Sequence, residues 1–289
     1  MSRYDTVLRP WVRALIILRH NGSMTASNTA SGAGRDGLRP LRYMVRLPLL
    51  AFHACVFLPI TLIMINPVCA RMVFRGERLD HRAIRWWSLG MVRIFGFKTK
   101  RYGTPLPGAV LFVANHVSWI DITLLHSQRW MGFVAKAEIA NWPLIGWMAS
   151  RGGTIYHHRG SNDSLHGVMH QMVERLQEGL ACAVFPEGRT TDGREIGTFH
   201  ARIFQPAVLA EVPAQPIALK YGERGNAQTI IAFGSKENFL QNLVRLLGEP
   251  TRTAEVHFLE PVASSEEGRS RMAAVCRERI MTAMKNDAR

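Results

Sequence analysis

Two short segments of this chain carry side chains that suit proton-transfer chemistry. The first is Asn-His-Val-Ser-Trp-Ile-Asp at 115–121, in which Asp121 follows His116 by five residues. The second is Phe-Pro-Glu-Gly-Arg at 185–189. An imidazole can take a proton from a hydroxyl near neutral pH when a carboxylate orients the ring and stabilises the charged form. We therefore expect His116 to act as a general base that Asp121 orients.

Both segments follow short apolar runs, at 109–114 and 180–184, which are typical of strands buried on both faces. Ser118 with Asp121 three residues later is typical of a helix start, where the acid reaches back to the cap. In the alternative interpretation, Asp121 is only a capping carboxylate and His116 is structural. Because open α/β sheets bind ligands at strand ends, the second loop favours one shared site.

The order of these motifs resembles the glycerolipid acyltransferase family, over roughly Gly103 to Tyr221. Its Asn-His-x4-Asp block is complete here. Three further family blocks have similar segments in this chain: a Gly-x5-Arg block at 153–159 that ends at Arg159, a Phe-Pro-Glu-Gly-Thr-Arg block at 185–191, and a Pro-containing strand at 214–219.

The resemblance implies transfer of an acyl group from coenzyme A or acyl carrier protein to the hydroxyl of a lysophospholipid. We expect 1-acyl-sn-glycerol-3-phosphate as the acceptor, giving phosphatidic acid in phospholipid biosynthesis, with neither a metal nor a cofactor. His116 and Asp121 would be the catalytic residues. The acceptor pocket would be lined by Asn115, Lys136, Arg159, Glu187, Gly188 and Arg189.

Two departures from the family pattern fall where the acceptor head group would be bound. Arg189 precedes Thr190, whereas the family has Thr before Arg. The segment Phe-His-Ala-Arg at 199–202 stands where the family often has Phe-Lys-x-Gly. A lyso-ornithine lipid or another lysolipid is therefore the alternative acceptor.

The formal net charge of +14 predicts attraction to anionic lipid, an acidic carrier protein or nucleic acid, without choosing among them. A basic membrane-surface binding protein is thus a non-enzymatic alternative, although this alternative does not explain the two polar loops. Nucleic acid is not expected, since aromatic residues interleave with cations mainly in the N-terminal third. A hydrolase with Ser118 as nucleophile is a further alternative, but no Gly-x-Ser-x-Gly elbow is present.

Three regions are predicted along the chain. Residues 1–40 form a flexible N-terminal segment, residues 41–98 form membrane-anchoring helices, and residues 99–289 form the acyltransferase domain. The run 47–65 is uncharged and would extend about 28 Å as a helix, with a kink at Pro59; 82–95 has the composition of an interfacial helix.

We expect an anchor embedded from the cytoplasmic face of a bacterial inner membrane, with the active site facing the cytosolic thioester donors. One true transmembrane span is the competing interpretation. The fold class is α/β, with a mixed central sheet flanked by helices and an N-terminal membrane-embedded helical anchor. Strands are predicted at 110–114, 132–135, 154–157, 182–185, 216–221, 229–233 and 255–259, and helices around 165–176, 240–247 and 272–284.

Overall fold

The computed structural model describes residues 36–70, 72–142, 145–158, 162–264 and 268–285. Leu38–Arg289 form one compact unit. The predicted flexible segment lies almost entirely outside the described residues, and the three predicted region boundaries stay predictions.

A seven-stranded sheet forms the centre of the molecule, in the order β3-β9-β8-β4-β7-β5-β6. β8 and β9 pair antiparallel, whereas the other neighbours in this sheet pair parallel. The predicted mixed sheet is confirmed. Its strands are β3 Phe97–Tyr102, β4 Leu111–Ala114, β5 Gly132–Lys136, β6 Ile155–His157, β7 Cys182–Val184, β8 Ala214–Tyr221 and β9 Arg252–Phe258.

Successive side chains of the strands point to opposite faces of the sheet and enter two separate hydrophobic cores. Helices cover the sheet on both faces. One core receives side chains from α3 Leu79–Ile94, α4 Ile120–Gln128, α8 Gln228–Ile231 and α9 Phe239–Leu247. The other receives them from α6 Asn162–Gln177, α7 Gln205–Leu209 and α10 Gly268–Lys285. The other α-helices and strands are α1 Arg39–Met64, α2 Pro67–Ala70, α5 Ile145–Arg151 and a hairpin of β1 Val73–Phe74 with β2 Glu77–Arg78.

β4 and β7 are adjacent and parallel, with Val113 opposite Val184. Every residue of both strands is buried, as their unbroken apolar sequences predict. Since parallel neighbours end at the same edge of the sheet, the loops after β4 and β7 start side by side. This places the two polar motifs together.

One predicted strand is wrong, and one strand was not predicted. The segment 229–233 is predicted as a strand, but residues 228–231 form the short helix α8. Gln228, at the start of α8, accepts the Tyr221 N–H through Oε1 and donates to the Leu219 carbonyl through Nε2. The edge strand β3 was not predicted. It alternates a buried Phe97 with the exposed Lys98 and Lys100, a pattern typical of a protected sheet edge.

α1 is the one helix among the described residues that is long and apolar enough to cross a membrane. Large apolar side chains are exposed along this helix, and we call one row of them the apolar stripe: Leu41, Val45, Leu49, Phe52, Val56, Ile60 and Ile63. Met44, Leu47 and Phe57 are also exposed, outside this row. A kink is predicted at Pro59. The helix has a π-helical turn, His53–Phe57, just before this proline. Proline lacks the N–H that would bind the carbonyl four residues earlier.

A side of α1 next to the apolar stripe packs on the catalytic domain through arginines. Arg39, Arg42 and Arg46 donate to carbonyls at the end of α9 or just beyond it, with Arg46 Nη1 lying 2.9 Å from Leu247 O and 2.7 Å from Glu249 O. Cations are favourable at a helix C-terminus because its last carbonyls are unpaired and carry partial negative charge. The side chains of these three arginines are therefore bound to backbone carbonyls at or just beyond the end of α9.

Candidate active site

His116 and Asp121 lie in the turn that joins β4 to α4. His116 Nδ1 is 2.8 Å from Asp121 Oδ2. The backbone N–H groups of Val117 and Ser118 donate to the same oxygen at 2.7 and 2.9 Å. The Asp121 side chain is fully buried. The turn thus wraps around one carboxylate, which fixes the position of the imidazole.

Tyr221 at the end of β8 supplies the other contact of this carboxylate. Its hydroxyl donates to Asp121 Oδ1 at 2.5 Å, and its side chain is fully buried. Burial and the charge of Asp121 raise the pKa of Tyr221 well above its usual range, so the phenol stays a donor. The sequence analysis did not identify Tyr221. The sequence feature that could have indicated Tyr221 is its position as the last residue of the Pro-containing strand.

The imidazole of His116 lies flat against an aromatic ring. It stacks on Phe185 with 3.8 Å between ring centroids and an angle of 12°. Its side chain is 15% exposed, and Nε2 has no hydrogen-bond partner within the described ranges. An imidazole that donates from Nδ1 to a carboxylate presents an unprotonated Nε2. This is the arrangement that a general base requires.

Glu187 joins the two polar loops through backbone amides. Its Oε1 accepts the His116 N–H at 3.0 Å, and its Oε2 accepts the Gly197 N–H at 2.7 Å. Burial raises the pKa of Glu187, while these amides and His116 oppose the shift. A Cβ on Gly197 would lie 2.9 Å from Oε2, so the glycine leaves room for the carboxylate. The geometry gives Glu187 a positioning role; its predicted contact with the acceptor stays a prediction.

α10 holds the other side of the same loop. Arg277 Nε donates to the Gly197 carbonyl at 2.7 Å, and its Nη2 donates to the Ile196 carbonyl at 2.9 Å. The loop that binds Glu187 is therefore fixed from the C-terminal helix.

Ser118 is buried behind the histidine and contacts α9. Its hydroxyl donates to Asn242 Oδ1 at 3.2 Å, and Trp119 Nε1 donates to the same oxygen at 3.0 Å. Ser118 is fully buried. Asp121 reaches back to the Ser118 N–H as predicted, but the serine hydroxyl does not cap α4. This geometry argues against Ser118 as a nucleophile, because its hydroxyl is bonded to Asn242 and is inaccessible.

The predicted acceptor-binding residues divide into three groups. Asn115 is buried, and its amide pairs with the backbone of Leu219 on β8, so it joins two strands. Gly188 and Arg189 are exposed in the loop after β7, and Lys136 is the exposed last residue of β5. β7 and β5 follow β4 in the sheet order. Arg159 lies outside the described residues. A groove of about 660 Å³ runs along α10 past Thr198 and is not lined by His116.

Comparisons with known proteins show which family this chain resembles. The family model described as Acyltransferase matches residues 99–220. The lyso-ornithine lipid O-acyltransferase of Pseudomonas aeruginosa is 34% identical over 206 residues, which are 71% of this chain and 80% of the relative. The 1-acyl-sn-glycerol-3-phosphate acyltransferase of Neisseria gonorrhoeae is 32% identical over 178 residues, covering 62% of this chain and 69% of the relative.

A solved structure has the same fold. The crystal structure of the 1-acyl-sn-glycerophosphate (LPA) acyltransferase PlsC from Thermotoga maritima superposes with a TM-score of 0.64 at 20% identity, covering 87% of this chain and all of that chain. The resemblance inferred from the motifs is thereby confirmed. Since a relative matched over four-fifths of its length is 34% identical, this chain belongs to the acyltransferase family that includes these lysolipid O-acyltransferases.

Proposed function

We propose that this acyltransferase moves a fatty acyl group from a thioester to the hydroxyl of a lysolipid, with His116 as the general base. The observation that carries the proposal is the 2.8 Å contact between His116 Nδ1 and Asp121 Oδ2, which leaves Nε2 accessible. Asp121 in turn is fixed by two backbone amides and by Tyr221.

In the proposed reaction, the acceptor hydroxyl binds at His116 Nε2 and attacks the thioester carbonyl as its proton moves to the imidazole. Asp121 stabilises the imidazolium. The tetrahedral intermediate then collapses, the C–S bond breaks, and the leaving thiolate takes the proton from Nε2. No acyl-enzyme forms and no cofactor takes part, because the base activates the acceptor oxygen directly. The donor is acyl-CoA or acyl carrier protein.

Two acceptors fit this chemistry. 1-acyl-sn-glycerol-3-phosphate carries a phosphate that suits the exposed cations Lys136 and Arg189. A lyso-ornithine lipid is a second candidate, because the Pseudomonas aeruginosa relative named for that acceptor is 34% identical to this chain.

The apolar stripe of α1 supports a location at a membrane. The cytosolic thioester donors favour the bacterial cytoplasmic membrane, with the active site facing the cytoplasm. α1 packs on the catalytic domain along a side next to the apolar stripe, so we propose that it lies in the membrane surface from the cytoplasmic face. The second predicted anchor helix corresponds to α3. This helix exposes Trp86 but packs on α4 and buries Ala83 and Val92.

The test is an acyl-transfer assay with the full chain in phospholipid vesicles. Labelled acyl-CoA and acyl carrier protein are each offered with a panel of lysolipids that includes both candidate acceptors. Labelled product from one lysolipid, lost with His116→Ala, supports the proposal and identifies the acceptor. Release of free fatty acid alone, or product formation that His116→Ala leaves intact, would contradict it.

A further inference from the structure

A groove separate from the His116 site lies between α1, the end of α3 and the start of β3. Its volume is about 330 Å³. That volume is at the lower end of the range of roughly 300–1,000 Å³ for small-molecule sites. Apolar side chains of Val45, Leu49 and Ile94 and cationic side chains of Arg46, Arg93 and Lys98 share its wall. The groove therefore suits an amphipathic anion.

Arg93 and Lys98 supply positive charge that no ion pair neutralises within the described part of the chain. Both side chains are exposed, and neither forms an ion pair with the residues that the structure describes. The acid closest in sequence to the groove wall, Glu249, lies 3.4 Å from Arg252. Two unpaired cations on one concave surface favour a phosphate ligand.

Arg46 closes the inner wall of the groove. Its guanidinium is fixed by the carbonyls of Leu247 and Glu249. A Cβ on Gly96 would lie 2.1 Å from Arg46 Nη2, and Gly96 has a φ of +81°, so glycine is required for this packing. The Arg46 guanidinium is thus held in place at the inner wall.

The apolar side of the groove opens onto the apolar stripe of α1. Val45 and Leu49 belong to that stripe and are 53% and 48% exposed. A ligand with a charged head and apolar tails can place its head in the groove and its tails along the stripe. A phospholipid has this shape and charge, whereas a free nucleotide or inorganic phosphate has no use for the apolar wall.

We propose that the groove binds the phosphate head group of an anionic bilayer phospholipid, with Arg93 and Lys98 contacting the phosphate and the acyl chains lying along Val45 and Leu49. The proposal rests on the proposed membrane location of α1. It does not depend on the catalytic role of His116.

The groove is distinct from the acceptor site but lies at the same edge of the sheet. Lys98 is at the start of β3, three strands from β4 in the sheet order. At about 4.8 Å per strand, that separation is roughly 14 Å. β3 runs opposite to β4, because β9 pairs parallel with β3 and antiparallel with β8. A lipid bound here therefore holds the edge that carries His116 against the membrane.

The first test compares two double variants of the full chain with the same charge change. Arg93→Gln with Lys98→Gln removes the groove cations, whereas Lys100→Gln with Arg101→Gln removes exposed cations further along β3. Binding is measured to vesicles of phosphatidylcholine with and without phosphatidylglycerol. A cation near an anionic membrane contributes about 1 kcal/mol, equivalent to about fivefold in affinity.

We expect the groove variant to lose about 25-fold in affinity for the anionic vesicles, with a much smaller loss for the control variant and little change on neutral vesicles. Equal losses for the two variants would mean diffuse surface attraction only and would overturn the proposal. Unchanged binding of the groove variant would overturn it as well.

The second test fills the groove without changing charge. Val45→Trp places a larger apolar side chain at the groove wall, and thermal unfolding confirms that the variant is folded. Native mass spectrometry of the full chain with added phosphatidylglycerol is expected to show one retained lipid for the parent protein and none for the variant. Equal lipid retention by both would contradict a defined site. Acyl transfer is not needed for either measurement, so failure of the proposed reaction would be seen separately.

Discussion

Glu187 and His116 are joined through the main chain, since Glu187 Oε1 accepts the His116 N–H at 3.0 Å. The other carboxylate oxygen binds the Gly197 amide. One buried acid therefore connects the loop after β4, the loop after β7 and the segment that Arg277 holds. The motif acid positions the backbone of the proposed base, while Asp121 positions its ring.

Replacement of His116 by alanine should lower the rate of acyl transfer by about 10²- to 10⁴-fold, because the acceptor hydroxyl loses its base. Ser118→Ala should keep most of the activity, since the serine hydroxyl contacts Asn242 and is buried. Turnover of the purified variants in vesicles checks both. An inactive Ser118→Ala variant with unaltered thermal stability would favour the serine-nucleophile alternative.

Tyr221→Phe should change the pH dependence of the reaction. The substitution removes the donor to Asp121 Oδ1 and leaves that oxygen buried without a partner, which costs about 1–3 kcal/mol in the free energy of unfolding. With more negative charge left on the carboxylate, the imidazolium is favoured, so the acidic limb of the kcat profile should move to higher pH. A profile that keeps its position while kcat falls would indicate a purely structural role for Tyr221.

Glu187→Gln should reduce kcat by up to about 100-fold. The NH₂ group of glutamine cannot accept a hydrogen bond from a backbone N–H, so the contact with either the His116 or the Gly197 amide is lost. Glu195→Gln is the matched control, with the same charge change on an exposed side chain nearby. Steady-state kinetics of both variants with a soluble acyl-CoA provide the measurement. If the two variants retain equal activity, Glu187 does not position His116.

Glu237 should make stability depend on acidic pH. Its carboxylate binds Arg245 at 2.7 Å, and hydrogen bonds from this arginine lower the pKa of Glu237 to about 2 from 4.5. The contribution of this group is therefore present above about pH 4.5 and is lost as the pH falls towards 2. Urea unfolding at pH 7 and pH 3 should show a smaller difference for Glu237→Gln than for the parent protein. An identical difference would contradict the assignment.

The pairing of His116 with Asp121 could be predicted from the sequence, because both residues lie in one strand-to-helix turn. The role of Glu187 could not, since its partners are backbone amides of segments 71 residues before and 10 residues after it in the chain. Tyr221 was missed for a similar reason. A phenol 100 residues from its carboxylate is brought there only by the pairing of β8 with β4.

The elements were predicted well where the sequence was apolar and less well where polar side chains decided the structure. β4 and β7 are buried on both faces, so composition alone indicated them. At 229–233 the β-branched sequence favoured a strand, but the Gln228 side chain and the Ala227 N–H bind the backbone at the end of β8 instead of a continuing ladder. The result is a short helix.

The arginine contacts of α1 have a practical consequence for producing the enzyme. Removing the apolar helix α1 to obtain a fragment that is easier to purify would expose the carbonyls of Leu247 and Glu249, which now bind Arg46. It would also free α9, whose Asn242 holds the segment beside His116. α1 and the candidate active site thus belong to one compact unit, so purification of the full chain in detergent or a bilayer mimic is expected to preserve activity better than truncation.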